Sequence, residues 1–265
     1  ILAQDAAHAR QPMHDGWVTL PLACGGDLRF APAGAGSGPS GRRLWASAVA
    51  LCGALHEHWP RAAGSRSRAI ELGAGVGAPG LIAAAAGCSE VVFTDVGEEA
   101  LRALRGNVKR FEDSARTADG LRRHPRLAVA PLDFSIAKEV AGIAAAGRFD
   151  LVLASDCAYA PGAAAHLVAA VDQLLCPGGM ALLADRDRPL GGPVLRSQFL
   201  EEARRRCLLA EEIAAVQCFQ DGLEVSGLPP DLVTGCVDKH SFVIRLTRQE
   251  EEPCETPVFN LGEMD

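Results

Sequence analysis

Short apolar runs alternate with segments of helical spacing from about residue 69 to residue 207, a rhythm that predicts strands joined by helices in a parallel sheet. The predicted core strands end at Leu72, then run over 91–94, 127–130, 149–154 and 180–184. Residues 149–154 are apolar at nearly every position, as a central strand covered on both faces must be. Helices are predicted over 77–86, 98–110, 136–146, 163–175 and 194–207, and in the second of these Leu101, Leu104 and Val108 share one side. Two late strands, around 213–219 and 241–246, are separated by a Gly/Pro/Asp-containing loop, which predicts a closing hairpin with one reversed edge strand.

Outside this block the pattern is weaker. Residues 17–22 and 27–30 alternate on either side of Cys24-Gly25-Gly26 and predict a small hairpin. Residues 31–41 are rich in Gly, Pro, Ala and Ser and read as a flexible loop. Leu44, Ala48, Leu51 and Leu55 share a face of a helix that Pro60 closes, with a polar connection over 61–68. Residues 1–15 carry no firm period, 111–125 read as a polar insert, and the acid-rich segment from 249 reads as an unfolded tail. The expected division is an N-terminal extension with hairpin and loop (1–43), one α/β domain (44–248) and an acidic tail (249–265).

Charge and cysteine usage then narrow the partners. The chain of 265 residues carries a formal net charge of −7, which argues against a broad nucleic-acid surface and favours a basic partner. No apolar run is long enough to cross a bilayer, so no membrane partner is expected. The first residues lack a basic region followed by an apolar block, so no secretory signal is read there; the chain starts without Met, which leaves a removed leader open. Nine scattered cysteines with no C-x-x-C pair suit a reducing compartment and no structural zinc. His56 and His58 lie two apart on a helix and point different ways, so no metal is expected from them. A cytoplasmic location is expected, with the nucleus open, and the oligomeric state is not specified.

The chemistry gathers at the ends of the predicted strands. Glu71 precedes Gly73, Ala74, Gly75 and Gly77, which make a tight turn into a helix whose first turn holds Pro79. The second strand ends in Asp95, the third is followed by Asp133-Phe134, and the fourth by Ser155-Asp156. Gly73, Gly75 and Ala78 satisfy a relaxed dinucleotide fingerprint, so a nicotinamide oxidoreductase is one reading. The full set of polar strand ends is more similar to the S-adenosylmethionine-binding pattern of class I methyltransferases.

Asp156-Cys157-Ala158-Tyr159 sharpens that resemblance. With Leu44-Trp45, Glu71 to Gly77, Thr94-Asp95 and Asp133-Phe134 in order, the segment from Leu44 to Ala184 resembles the family 16 protein methyltransferases, mostly lysine-directed, whose signature after the fourth strand is D-x-x-Y. The resemblance implies a Rossmann-like seven-stranded, mostly parallel sheet with helices on both faces, extended by the hairpin and the Trp-bearing helix. It implies S-adenosyl-L-methionine as cofactor. Trp45 would close the site, Glu71, Gly73, Ala74, Gly75 and Gly77 would form the loop beside the methionine and ribose, and Asp95 would accept the ribose hydroxyls. Asp133 and Phe134 would meet the adenine, and Ser155 would line the pocket. Two departures stand out: Ala46 replaces a frequent acid, and Phe134 replaces the usual Trp, offering less area to a base.

The same resemblance makes Asp156 and Tyr159 the catalytic candidates. Methyl transfer to an amine needs alignment and a free lone pair. Baring that lone pair on a free lysine at pH 7 costs roughly 4–5 kcal/mol. A carboxylate favours the ammonium, so Asp156 is read as binding and orienting the amine rather than as a simple base. Tyr159, the only tyrosine, offers a hydroxyl and an aromatic face to a cation. The expected activity is protein N-methylation at lysine, with a lysine-containing basic segment as partner; histidine as acceptor, a small-molecule methyltransferase and a cofactor-binding interaction protein are the alternatives.

Overall fold

A computed structural model describes residues 17–23, 27–31, 40–59, 67–117, 125–188 and 194–249. The expectations for residues 1–15, for most of the loop at 31–41, for most of the connection at 61–68 and for the tail from 250 lie outside the described residues.

The elements follow in order as β1 (Val18–Pro21), β2 (Asp27–Phe30), α1 (Ala46–His58), β3 (Arg68–Leu72), α2 (Ala78–Ala85), β4 (Glu90–Asp95) and α3 (Glu98–Thr117). They continue as β5 (Arg126–Pro131), α4 (Ala137–Ala145), β6 (Phe149–Ser155), α5 (Ala163–Leu174), β7 (Leu175–Arg186), α6 (Leu195–Arg205), β8 (Leu209–Ile213), α7 (Ala215–Ser226) and β9 (Ser241–Thr247). β1 and β2 form the predicted hairpin. The other seven strands make one sheet in the order β5-β4-β3-β6-β7-β9-β8. All neighbours run parallel as far as β7. The antiparallel pairing at this edge is made by β9, which lies one strand in, between β7 and the outermost β8, and runs against both.

Alternate strand residues feed two cores, as the two-residue period of a strand requires. Ala69, Val91, Phe93, Leu151, Leu153 and Leu182 join α1, α2, α3, α7 and the hairpin on one face. Ile70, Leu72, Val152, Ala154, Leu183 and Ile244 join α4, α5 and α6 on the other. Each fully buried Leu, Ile or Phe here is worth about 1.5–3 kcal/mol.

Two predicted segments come out differently. The polar insert begins later than expected, because α3 runs on to Thr117. Phe111 is buried in the core that also holds Leu104 and Val108, completing an i, i+4, i+7 stripe. The strand expected at 213–219 is instead the end of β8 followed by α7. The buried face of α7 is Ala215, Cys218, Gly222 and Ser226, a helical spacing written in small residues that an apolar count overlooks. Those small residues let α7 cross α1 closely. A Cβ on Gly53 would lie 1.9 Å from the Cys218 carbonyl oxygen, and one on Gly222 would lie 1.9 Å from that of Val49.

One side chain ties the N-terminal hairpin to the carboxyl ends of the strands. Asn107 of α3 is fully buried; its Oδ1 accepts from the Arg29 N–H at 2.9 Å, and its Nδ2 donates to the carbonyls of Arg29 (3.0 Å) and Val76 (2.8 Å). The guanidinium of Arg42 lies 4.3 Å from the centre of the Trp17 ring, and that of Arg29 lies 5.1 Å from it. Among the described residues no helix is long and apolar enough to cross a membrane.

Candidate functional site

The sheet reverses its strand order between β3 and β6, and a ligand crevice is expected beyond the carboxyl ends at such a switch point. A cavity of about 810 Å³ lies at those strand ends. Its walls are the turn after β3 (Gly73 to Val76), Asp95 at the end of β4, Leu132 to Phe134 after β5, Ser155 to Cys157 and Tyr159 after β6, and Arg188 after β7. Gly41, Arg43 and Trp45, from the segment leading into α1, close one side.

The turn after β3 is built from glycines with positive φ. At Gly75 (φ 53°) the backbone both bends and makes contact: its N–H donates to Asp95 Oδ2 at 2.9 Å, and Gly41 packs directly above. Gly77 (φ 82°) is the N-cap of α2 and serves packing, since a Cβ there would meet Leu104 at 2.5 Å. Glu71 lies under the turn. It is 1 % exposed, and its Oε2 accepts from the Gly80 N–H at 2.9 Å inside the first turn of α2. Burial pushes its carboxyl up from 4.5 to about 8.

Of the predicted cofactor residues, Trp45, Gly73, Ala74, Gly75, Asp95, Asp133, Phe134 and Ser155 wall the cavity. Glu71 and Gly77 do not; they hold the turn and the helix start from behind. Asp95 is already well engaged: Oδ1 accepts from the N–H groups of Val96 (2.8 Å) and Gly97 (3.0 Å), and Oδ2 from Gly75. A carboxylate has about four acceptor positions, so one is left for a ligand hydroxyl unless the Gly75 bond is exchanged. Asp133 Oδ1 accepts from the N–H (2.9 Å) and hydroxyl (2.6 Å) of Ser135, which hold its carboxyl below the usual range.

Asp156 and Tyr159 line the same cavity. Asp156 has φ 53°, a left-handed conformation that costs a non-glycine residue about 1–2 kcal/mol. Its N–H is fixed to the Ala184 carbonyl at 2.9 Å. The Asp156 side chain is 13 % exposed, while Tyr159 is 64 % exposed. Cys157 between them is buried against the turn after β3, its Sγ 3.2 Å from the Leu72 carbonyl; burial raises this thiol well above the ordinary value, so it is a packing group rather than a nucleophile.

The structure adds residues that the sequence pattern did not flag. Arg188 makes an ion pair with Asp156 through Nη2 and reaches Asp185 Oδ1 through Nη1 at 3.1 Å. Asp185, 3 % exposed, accepts from the Ala158 N–H at 3.1 Å and the Arg186 N–H at 2.7 Å, and burial pushes its carboxyl up to about 6. The signal was there: the apolar run at 180–184 is followed by the alternating acids and bases Asp185-Arg186-Asp187-Arg188. Gly41 and Arg43 were hidden differently, in a segment with no period to read.

Residues 33–206 match a family model described as lysine methyltransferase. Among solved structures the chain is similar to a fibrillarin/Nop5p complex, with TM-score 0.51 and 11 % identity over 83 % of this chain and 94 % of that one. It is also similar to an O-methyltransferase family protein from Burkholderia thailandensis, with TM-score 0.50 and 14 % identity over 77 % of this chain and 56 % of that one. At such identities the likeness shows the fold alone. A sequence search of curated proteins finds no match.

Proposed function

The chain belongs to the lysine methyltransferase family whose model spans residues 33–206, and from that premise we propose that it is an S-adenosylmethionine-dependent enzyme that methylates a lysine side chain of a protein. When bound, S-adenosylmethionine supplies a methyl group on a cationic sulfur, which departs as a neutral thioether once an amine lone pair has taken the methyl. The cavity suits that molecule in the chemistry of its donors. Asp95 keeps an acceptor position for a ribose hydroxyl, Phe134 gives a flat apolar face for a base, and the turn from Gly73 to Gly75 presents backbone without side chains.

The observation that carries the reading is the union, in one cavity, of this wall with an open end formed by Asp156 and Tyr159. Tyr159 stands at the rim, where a side chain from another protein can enter, with Asp156 deeper beside Ser155. Asp156 orients the amine, and the Tyr159 ring and hydroxyl flank it. Acids outnumber bases in the lining, with Asp95, Glu98, Glu99, Asp133 and Asp156 against Arg43 and Arg188, which favours a basic segment as partner. A second reading, a small-molecule methyltransferase, is favoured by the wall that Gly41, Arg43 and Trp45 build on one side.

Tritium transfer from labelled S-adenosylmethionine to a cell extract separates the two. A labelled protein band that is lost with Asp156→Asn supports the reading. Label confined to small molecules favours the second reading, and no label with cofactor binding intact would sink both.

A further inference from the structure

The acceptor end of the cavity holds a cation as well as the acid of its motif. Arg188 bridges Asp156, which faces the cavity, and Asp185, which is locked below it by two backbone N–H groups. The Arg188 side chain is itself only 27 % exposed, so this is not a surface arginine resting on the nearest acid. Asp185 cannot move away, and Arg188 is held in the cavity wall by both partners.

Resting on the reading of a protein amine as acceptor, we propose that Arg188 determines the form in which that amine is held. By occupying Asp156 and Asp185 it withdraws the carboxylate attraction that would otherwise lock an incoming lysine in its ammonium form. Arg188 is thus a positioning residue that acts through Asp156.

The charges make the case. With both acids ionised, Asp156, Asp185 and Arg188 sum to one negative charge; without Arg188 they sum to two. A neighbouring opposite charge favours the charged form of a group by about 1–3 pH units. Transfer needs the lone pair, so the ammonium must first give its proton to water, and every added negative charge beside it delays that loss. The other ionisable groups on the cavity wall come from each neighbouring element. Asp95 and Asp133 stand at the ends of β4 and β5, and Glu98 and Glu99 open α3. Cys157 and Tyr159 follow β6, and Arg43 faces in from the segment before α1. All of these remain when Arg188 alone is changed, so the comparison isolates its charge.

The test uses Arg188→Gln and Arg188→Lys beside the wild type. One readout is calorimetric titration with a hexalysine peptide in the absence of cofactor. The other is the pH profile of protein labelling in extract between about pH 6 and 10. Arg188→Gln should bind hexalysine about tenfold more tightly, while its rising limb moves up by about one to two pH units and its labelling at pH 7 falls about 10- to 100-fold. Arg188→Lys, which keeps the charge, should keep the wild-type limb. Three results would overturn the inference: labelling by Arg188→Gln that is as fast or faster with an unmoved limb, unchanged hexalysine affinity, or equal displacement of the limb in both variants. Wild type that labels no protein at any pH would bring down the protein-amine reading and this inference with it; labelling with an unmoved limb would remove the inference alone.

Discussion

Replacing Glu71 by Gln should stabilise this protein at neutral pH and flatten its stability between pH 5 and 8. The Glu71 carboxyl lies under the turn after β3 with one oxygen bonded to the Gly80 N–H and the other, Oε1, buried without a hydrogen-bond partner. The folded chain keeps this proton up to about pH 8, whereas the unfolded chain releases it near 4.5. The contribution of Glu71 to stability is therefore highest below pH 4.5, declines as pH rises through the window, and levels off above 8. The gap of about 3.5 pH units (8 less 4.5), at about 1.4 kcal/mol each, sets a ceiling of about 5 kcal/mol, and by pH 7 about 3 kcal/mol of it has been lost. Glutamine has the shape of the protonated acid, retains an acceptor for Gly80 and has no proton to lose in either state. Its NH₂ meets no partner, and neither does the acid O–H it replaces, so most of that cost is common to both; the amide's second N–H adds a constant offset that does not change with pH. Urea unfolding of both proteins at pH 5, 6, 7 and 8 should show the variant gaining on wild type by about 1 kcal/mol per pH unit. Asp185, also raised by burial, tilts both curves equally, so the difference is the quantity to read. Parallel stability curves for the two proteins would refute the account.

Asp95→Asn should weaken binding of S-adenosylhomocysteine by about 10- to 100-fold in calorimetry, the worth of a hydrogen bond to a charged acceptor. Its melting temperature should fall modestly, because asparagine keeps an oxygen for Val96 and Gly97 but turns its NH₂ toward the Gly75 N–H; unchanged affinity would remove Asp95 from the site. Gly53→Ala drives a Cβ into the Cys218 carbonyl where α1 crosses α7, and should cost about 1–3 kcal/mol by thermal or urea unfolding. An unmoved midpoint would mean that the two helices do not approach so closely.

What could be read from the sequence followed from how strongly each pattern is written. The five parallel strands announced themselves as apolar runs punctuated by Gly, Asp or Ser, most plainly in the central strand β6, where burial on both faces leaves little room for polar residues. The acids Asp95 and Asp156 stood out because each closes an apolar run at the carboxyl end of its strand, the side where a ligand crevice is expected. α7 was misread because its buried face is the small residues Ala215, Cys218, Gly222 and Ser226, while Val216 is exposed and Phe219 only partly buried, so an apolar count missed the helical spacing. Glu71 and Gly77 were placed in the ligand site on the strength of their motif, yet they support it from behind, a distinction of depth that no linear pattern carries. Arg188 escaped because its partners are Asp156, distant in the chain, and Asp185, which itself lay just past the last apolar residue counted.

The register of β6 against β7 explains why a cation belongs at that place. Ser155 pairs with Ala184, so Asp156, the first residue past β6, comes level with Asp185, the next residue of β7. Two carboxylates brought together in a buried setting repel, and one would have to take up a proton or both find a counter-charge. Asp185 is held by backbone N–H groups and its carboxyl is pushed up only to about 6, so it carries charge at neutral pH and calls for a counter-charge. Arg188, three residues beyond Asp185, supplies it. The same strand pairing that sets Asp156 in its left-handed turn, through the bond from its N–H to Ala184, thus creates both the acid offered to the acceptor and the requirement for the arginine that tempers it. Sliding β7 by one residue would separate the two acids, free Arg188 of its task and dismantle the acceptor end while leaving the wall formed by β3, β4 and β5 in place.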